Sequence, residues 1–328
     1  MRILVTGGAG FLGSHAVDHF LKNSDAEIVV LDKLTYAANG YDRLRDSDAY
    51  DDRRVTVLSA DFRESLTPGV RQEIGAADYI LHLGGETHVD RSITDCTPFT
   101  LSNVLGTQRL LDFARTLPSL KLMLYASTDE VYGTAPDGVL YKEGDPPDPR
   151  NPYAATKAAA EMLCLAYAHT HGVPVAITNT MNLFGEKQHP EKLIPLVIRK
   201  VLAGETVTIH ASPDKKRSGT RFYIHCRNWA TAAEFLFTRA VPRERYNIVG
   251  EREVSNLDMA QFIAECVGKP LKYEMVDFHS SRPGHDLRYS LDGAKMAAMG
   301  WTPPVGFDES LRKTIRWYLD NPRWLEWG

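Results

Sequence analysis

Arg2-Ile3-Leu4-Val5-Thr6-Gly7-Gly8-Ala9-Gly10-Phe11-Leu12-Gly13 runs from a short β-branched stretch directly into glycine. A helical pattern follows through Leu21. Strand, glycine turn and helix in that order are the context in which a dinucleotide fingerprint means something. Gly7 permits a tight turn, Gly10 a close approach of backbone to a pyrophosphate, and Gly13 close packing of helix on strand. The helix N-terminus then offers free amides and a positive dipole end to phosphate. The next strand is Glu27-Ile28-Val29-Val30-Leu31, with Asp32 at its end. An acidic residue about twenty positions past the turn suits the ribose hydroxyls of an adenosine. Its charge would repel a 2′-phosphate, so the expected cofactor is NAD rather than NADP, although Lys33 stands beside it.

Working outward, Val55–Leu58, Tyr79–Leu83, Leu122–Ala126 and Val175–Thr178 read as further strands with helical stretches between them. One helix is expected from Phe99 to Thr116, with Val104, Leu105, Leu110 and Leu111 toward the sheet. Another is expected from Tyr153 to Thr170. This alternation predicts an α/β fold, a Rossmann-type doubly wound parallel sheet. Beyond residue 180 the rhythm loosens. We expect an NAD-binding domain over 1–180 and a smaller substrate-binding lobe over 181–328, the boundary approximate and the segments interleaved. Short strands are expected there at Val207–Ile209, Arg221–His225, Tyr246–Val249 and Lys272–Val276. Helices are expected from about Pro190 to Ala203 and from Asn228, Asn256 and Asp308. Trp317, Trp324 and Trp327 read as packing or interface aromatics.

The 328 residues are 43% hydrophobic and 24% charged, with a formal net charge of -4, as for an ordinary soluble enzyme. No basic footprint for nucleic acid is present, and no apolar run reaches membrane-spanning length. The chain enters the glycine turn so early that no signal peptide is expected. Cys96, Cys164, Cys226 and Cys266 are widely spaced, so we expect free thiols, a cytoplasmic location and no metal site.

Two stretches carry chemistry. Ser127-Thr128-Asp129-Glu130-Val131-Tyr132 follows an apolar strand, at the sheet edge where open α/β folds bind ligands. By itself it reads as a capped turn. Next comes a Pro-, Gly- and Asp-rich segment over 133–152, expected to form a loop over the site, and then Tyr153 and Lys157. Four residues apart on a helix, they share one face. An ammonium near a phenol would lower its pKa toward a useful range. In the second lobe Lys192, Arg221, Arg282 and His285 are cations suited to a diphosphate; Arg217 reads as solvated.

These residues resemble the extended short-chain dehydrogenase/reductase superfamily, and within it the dTDP-glucose 4,6-dehydratases. The motifs are Thr6 to Ser14, Leu31-Asp32-Lys33-Leu34-Thr35-Tyr36, Glu86-Thr87-His88-Val89-Asp90-Arg91-Ser92, Ser127 to Gly133, Tyr153 with Lys157, Pro190-Glu191-Lys192-Leu193-Ile194-Pro195, and Arg282-Pro283-Gly284-His285-Asp286. The resemblance implies C4 oxidation by NAD with Tyr153 as base and Thr128 hydrogen-bonded to the C4 oxygen. Glu130 would then take the C5 proton, Asp129 would protonate the departing C6 hydroxyl, and hydride would return to C6. It also implies that Gly7, Gly10, Phe11, Leu12, Gly13, Asp32, Lys33, Thr35, Asp61, Phe62, Leu83, Tyr153 and Lys157 hold the cofactor. His88, Asn182, Lys192, Leu193, Arg221, Asn256, Arg282, His285 and Tyr289 would hold a nucleotide-diphosphate sugar. A homodimer is implied, formed through the helices at Phe99–Thr116 and Tyr153–Thr170.

The sequence departs from the family pattern at Gly84-Gly85, at Met181 to Glu186 and at Arg221 to Asn228. Three readings therefore stand: a 4,6-dehydratase; a 4-epimerase or diverted 5,6-dehydratase on the same scaffold; and an NAD-binding protein without turnover.

Overall fold

The computed structural model describes residues 1–277 and 287–326. Its centre is a seven-stranded sheet. In chain order the strands are β1 (Arg2–Thr6), β2 (Glu27–Asp32), β3 (Val55–Ser59), β4 (Tyr79–His82), β5 (Leu122–Thr128), β6 (Val175–Thr180) and, much later, β10 (Arg245–Ile248). Their spatial order is β10-β6-β5-β4-β1-β2-β3, with every pairing parallel. This is the Rossmann order extended by one strand. A parallel sheet is covered on both faces, which is why its strands are nearly continuous apolar runs.

Period-two alternation divides the strand residues between two cores. Leu122 and Leu124 face one core with Ile3, Val5, Ile28 and Val30. Helices α1 (Phe11–Asn23) and α5 (Cys226–Arg239) cover it through Phe20, Trp229, Leu236 and Phe237. Met123 and Tyr125 face the other core with Leu4, Val29 and Ile80. It is covered by α2 (Gly106–Ala114) and α3 (Pro152–His171) through Leu110, Leu111, Ala160 and Cys164.

A third core lies in the C-terminal part of the chain. It joins α4 (Leu193–Ala203), α6 (Asn256–Val267) and α7 (Phe307–Asp320) to β8 (Thr206–Ala211) and β9 (Thr220–His225). There β9 pairs with β7 (Asn182–Phe184) and β11 (Glu253–Ser255), and β8 pairs with β12 (Lys272–Asp277). Trp324 is buried in this core and Trp317 packs against it; Trp327 lies outside the described residues.

Two local expectations change. The stretch at 246–249, grouped by sequence with the second lobe, pairs with β6 as the seventh strand of the main sheet. It is too short for its sequence to show which sheet it joins. The expected helix from Phe99 begins with a π-helical stretch, Thr100–Leu105, before α2. The wider turn rotates the inward face, so Ser102, Asn103 and Thr107 are buried while Val104 and Leu105 are only half-buried. Among the described residues no helix is long and apolar enough to cross a membrane.

Trp229 joins a late helix to the sheet edge. It is fully buried, and its indole N–H donates to Thr180 Oγ1 at 3.1 Å. Trp229→Ala is expected to cost about 3–5 kcal/mol in denaturant unfolding. Trp229→Phe keeps most of the packing and should cost about half of that or less.

Candidate active site

The C-terminal ends of β1, β2, β4, β5 and β6 open into one long cleft. At one end Gly7 takes a φ of +71° and its amide bonds to Leu31 O at 2.9 Å. A Cβ on Gly13 would overlap the Gly7 carbonyl oxygen, so helix and turn can pack this closely only with glycine there. Helix α1 starts at Gly10 with no side-chain cap, leaving its first amides to the cleft. Asp32 accepts from Ala9 N at 3.1 Å and from Leu34 N at 2.9 Å. Burial pushes its carboxyl above the ordinary value, and these two amides pull it back. Lys33 is drawn away toward Ser102 Oγ (3.1 Å) and Glu86 (3.8 Å).

Gly7, Gly10, Phe11, Leu12, Gly13, Asp32, Lys33, Thr35, Phe62, Leu83, Tyr153 and Lys157 all line this cleft. Asp61 does not. Its carboxylate turns to Arg63, 2.7 Å from Nε.

The other end of the cleft holds Thr128, Asp129 and Glu130 opposite Tyr153 and Lys157. The stretch forms the capped turn and also lines the cleft. Thr128 Oγ1 accepts from Glu130 N at 3.4 Å, capping a short 3-10 turn over Asp129–Tyr132, and donates to Asp129 Oδ1 at 2.9 Å. Asp129 Oδ2 is buried with no hydrogen-bond partner among the described residues. Burial, then the neighbouring Glu130, pushes the Asp129 carboxyl up to about 7. Glu130 is also raised by burial, but Oε2 accepts from Asn151 Nδ2 at 2.9 Å and from the Tyr289 hydroxyl at 3.3 Å. Donors of that kind favour the carboxylate. Of the two neighbours, Asp129 is therefore the one that holds the proton.

The tyrosine does not behave as the sequence led us to expect. Burial, reinforced by Glu130 and Asp129, pushes the Tyr153 phenol up rather than down. Lys157 spends its ammonium elsewhere, donating to Ala126 O at 2.6 Å and lying 4.3 Å over the Tyr125 ring. Burial lowers Lys157 itself to about 8.

The expected substrate residues are dispersed. Asn182 and Lys192 line the cleft. Arg221 and Asn256 lie beside it: Arg221 donates to Leu287 O at 2.8 Å and stacks 4.5 Å over the Tyr289 ring, and Asn256 accepts from Tyr223 OH at 2.9 Å. Tyr289 donates from its hydroxyl to Glu130 Oε2 at 3.3 Å. His88 meets Glu191 at 3.4 Å, and the Leu193 side chain packs into the third core. Arg282 and His285 lie outside the described residues. Sequence reading passed over Asn151, although Asn directly before Pro152 is a helix-start signal. It also gave no role to Tyr36 and Glu191, which lie within quoted motifs, or to Arg43, which no motif marks; all three are in the cleft wall.

The departures from the family pattern are explained in pairs. A Cβ on Gly84 would lie 2.6 Å from the Phe62 ring, and one on Gly85 would lie 2.7 Å from Asn103 Oδ1. The two other altered stretches meet: Glu186 Oε2 and His225 Nε2 are 3.0 Å apart, with His15 Nε2 2.9 Å from Glu186 O.

Asp129 gives a stability test. Its folded pKa lies above its unfolded one, so its contribution is full below about 4 and is lost as pH rises through about 7. Asp129→Asn cannot ionise. It should melt several degrees above the parent at pH 8, and the gap should narrow at pH 5 and close only near pH 4, as read by thermal unfolding at the three pH values.

Comparison with known proteins agrees with this geometry. A family model described as GDP-mannose 4,6 dehydratase matches residues 4–314. The low-salt glycan biosynthesis protein Agl12 of Haloferax volcanii is 40% identical over 323 residues, 98% of this chain and 99% of its own. The dTDP-glucose 4,6-dehydratase of Streptomyces niveus is 39% identical over 334 residues, 99% of this chain and 95% of its own. The crystal structure of DesIV, a dTDP-glucose 4,6-dehydratase from Streptomyces venezuelae with NAD bound, has a TM-score of 0.90 at 37% identity over 99% of both chains. With the glycine cradle, the Thr-Asp-Glu strand end and the Tyr/Lys helix in one cleft, the chain belongs to the GDP-mannose 4,6 dehydratase family, within the extended short-chain dehydrogenase/reductases.

Proposed function

We propose that the chain is an NAD-dependent hydro-lyase that converts a dTDP- or UDP-linked hexose to a 4-keto-6-deoxy sugar. The observation that carries this reading is the pair of adjacent buried carboxyls, Asp129 with one bare oxygen and Glu130 hydrogen-bonded by Asn151 and Tyr289, facing Tyr153 across one cleft. An epimerase has no use for that acid/base pair.

The residues present fit NAD. The turn at Gly7 to Gly13 leaves a cradle that side chains would fill, the uncapped start of α1 suits a pyrophosphate, and Asp32 suits a ribose. Phe62 and Leu83 would form apolar walls. Bound NAD would supply the oxidant for C4 and the reductant for C6, and would bring a positive charge beside the phenol.

Tyr153 would take the C4 hydroxyl proton, with Thr128 hydrogen-bonded to the C4 oxygen. A donor of that kind is typically worth about 10²–10³ in rate. Once C4 is a ketone the C5 proton is acidic. Glu130, as carboxylate, would remove it, and Asp129, as acid, would protonate the departing C6 hydroxyl. Asn182 and Lys192 in the cleft, with Arg221 and Asn256 beside it, would hold the nucleotide diphosphate.

The same reading takes the enzyme as cytoplasmic, in keeping with four free cysteines. It also takes it as a homodimer. Leu101, in the π-helical stretch before α2, and Met162 on α3 are 39% and 44% exposed, apolar surface that a dimer would cover. Light scattering should give twice the 36.7 kDa chain mass; a monomer at micromolar concentration would refute the pairing.

Incubation with dTDP-glucose and, separately, UDP-glucose tests the reaction. Mass spectrometry and NMR should show loss of water and a 4-keto-6-deoxy product without added NADH. C4 inversion alone would exclude dehydration. Glu130→Gln should slow deuterium uptake at C5 by about 10²-fold or more, whereas an epimerase would keep substantial activity with that change.

A further inference from the structure

We infer that Asn151 is a positioning residue that holds the Glu130 carboxylate while capping the helix that carries Tyr153 and Lys157. The inference rests on the dehydratase reading and extends it to a residue outside the family motifs. Asn151 is 6% exposed, in extended backbone immediately before Pro152. Its side-chain oxygen accepts from Ala154 N at 2.8 Å, closing the first turn of α3. Its side-chain nitrogen donates to Glu130 Oε2 at 2.9 Å. One planar amide thus spans from the helix end to the carboxyl group. An N-cap needs only an acceptor, and serine or aspartate would serve equally well. Only an amide both accepts from the helix and presents an N–H donor to a carboxylate.

The consequence is geometric and electrostatic. Helix α3 fixes Tyr153, the 3-10 turn fixes Glu130, and Asn151 ties the two at a set separation. The groups that act at C4 and at C5 of one sugar ring are then placed relative to each other. The N–H also stabilises the ionised form of Glu130 against its burial. Other charged or titratable groups face Glu130 as well: Arg221 on β9, Lys192 before α4, Tyr289, and Tyr153 on α3. All of them remain when Asn151 is changed, so the effect of its amide can be isolated.

The test compares Asn151→Ser and Asn151→Asp with the parent. Both keep a good cap, so in Asn151→Ser thermal unfolding and bound NAD should change little, whereas Asn151→Asp should also lose some stability through its new carboxylate. Serine loses the amide donor, and aspartate replaces it with a like charge. For Asn151→Ser, kcat with dTDP-glucose should fall about tenfold, with KM moved less than about twofold, and C5 deuterium uptake should slow in proportion. A weaker hold on the carboxylate raises its pKa, so the acid limb of the pH–rate profile should move up by about one pH unit. Asn151→Asp should show larger changes in the same direction. Two results would overturn the inference: an unchanged acid limb and C5 exchange rate in Asn151→Ser, or loss of thermal stability alone, which would make Asn151 a cap and nothing more. If the parent dehydrates its substrate and Asn151→Ser behaves like it, only this inference fails. If the parent merely inverts C4, the dehydratase reading fails and this inference falls with it.

Discussion

One hydrogen bond sets the register of the whole site: the Lys157 ammonium donates to the Ala126 carbonyl at 2.6 Å, tying helix α3 to strand β5. A buried ammonium is costly unless it is compensated. Compensation comes from the Tyr125 ring beneath it and from Glu161, fully buried one helical turn further on. Glu161 is itself held by Arg245 Nε at 2.8 Å and Asn179 Nδ2 at 2.7 Å, and Asn179 also donates to Thr128 O at 3.2 Å. The chain of bonds runs α3, β5, β6, β10. Removing one partner from a buried pair of this kind typically costs about 3–5 kcal/mol. This gives the seventh strand a purpose: it arrives from late in the sequence carrying Arg245, and closes a network that fixes Tyr153 opposite Thr128.

Burial acts on Tyr153, Asp129, Glu130 and Lys157 at this end of the cleft, in each case toward the neutral form. It raises Tyr153, Asp129 and Glu130 and lowers Lys157. Where charge survives is then decided by hydrogen-bond partners. Glu130 has two donors on one oxygen, whereas Asp129 has a single hydroxyl and a bare second oxygen. The proposed elimination moves a proton onto Glu130 while another leaves Asp129. The carboxyl pair carries one negative charge before and after, so the step adds no net charge to a poorly solvated site.

The main sheet, the glycine turn and the Tyr/Lys helix were legible in the sequence because each is a local signal. A strand running into Gly7 and Gly13, or Tyr153 four residues from Lys157, carries its geometry in its spacing. What escaped depends on long-range packing. The π-helical stretch at Thr100–Leu105 has ordinary helix-forming residues, and only the fold shows that Asn103 is turned inward to bond Glu86 and Thr156. The rise of the Tyr153 phenol was missed because the sequence shows that Lys157 shares its helix face but not that Ala126 claims the ammonium. Asn151 was passed over: its place before Pro152 signals a cap, but its second bond crosses 21 residues of chain.

The same distinction explains where this chain diverges from its family. Phe62 and Gly84 are matched, because the ring occupies the space that a methyl group at 84 would need. Glu186 and His225 are matched likewise. Burial acts to raise the Glu186 carboxyl, but His225 and His15 hold it well below the usual carboxylate range. This pair joins the loop after β7, which begins at Asn182, to β9, which carries Arg221. Both pairs therefore border the surfaces proposed to grip cofactor and nucleotide. The space at Gly84 and the charge at Glu186 are thus each set by a neighbour from a distant part of the chain.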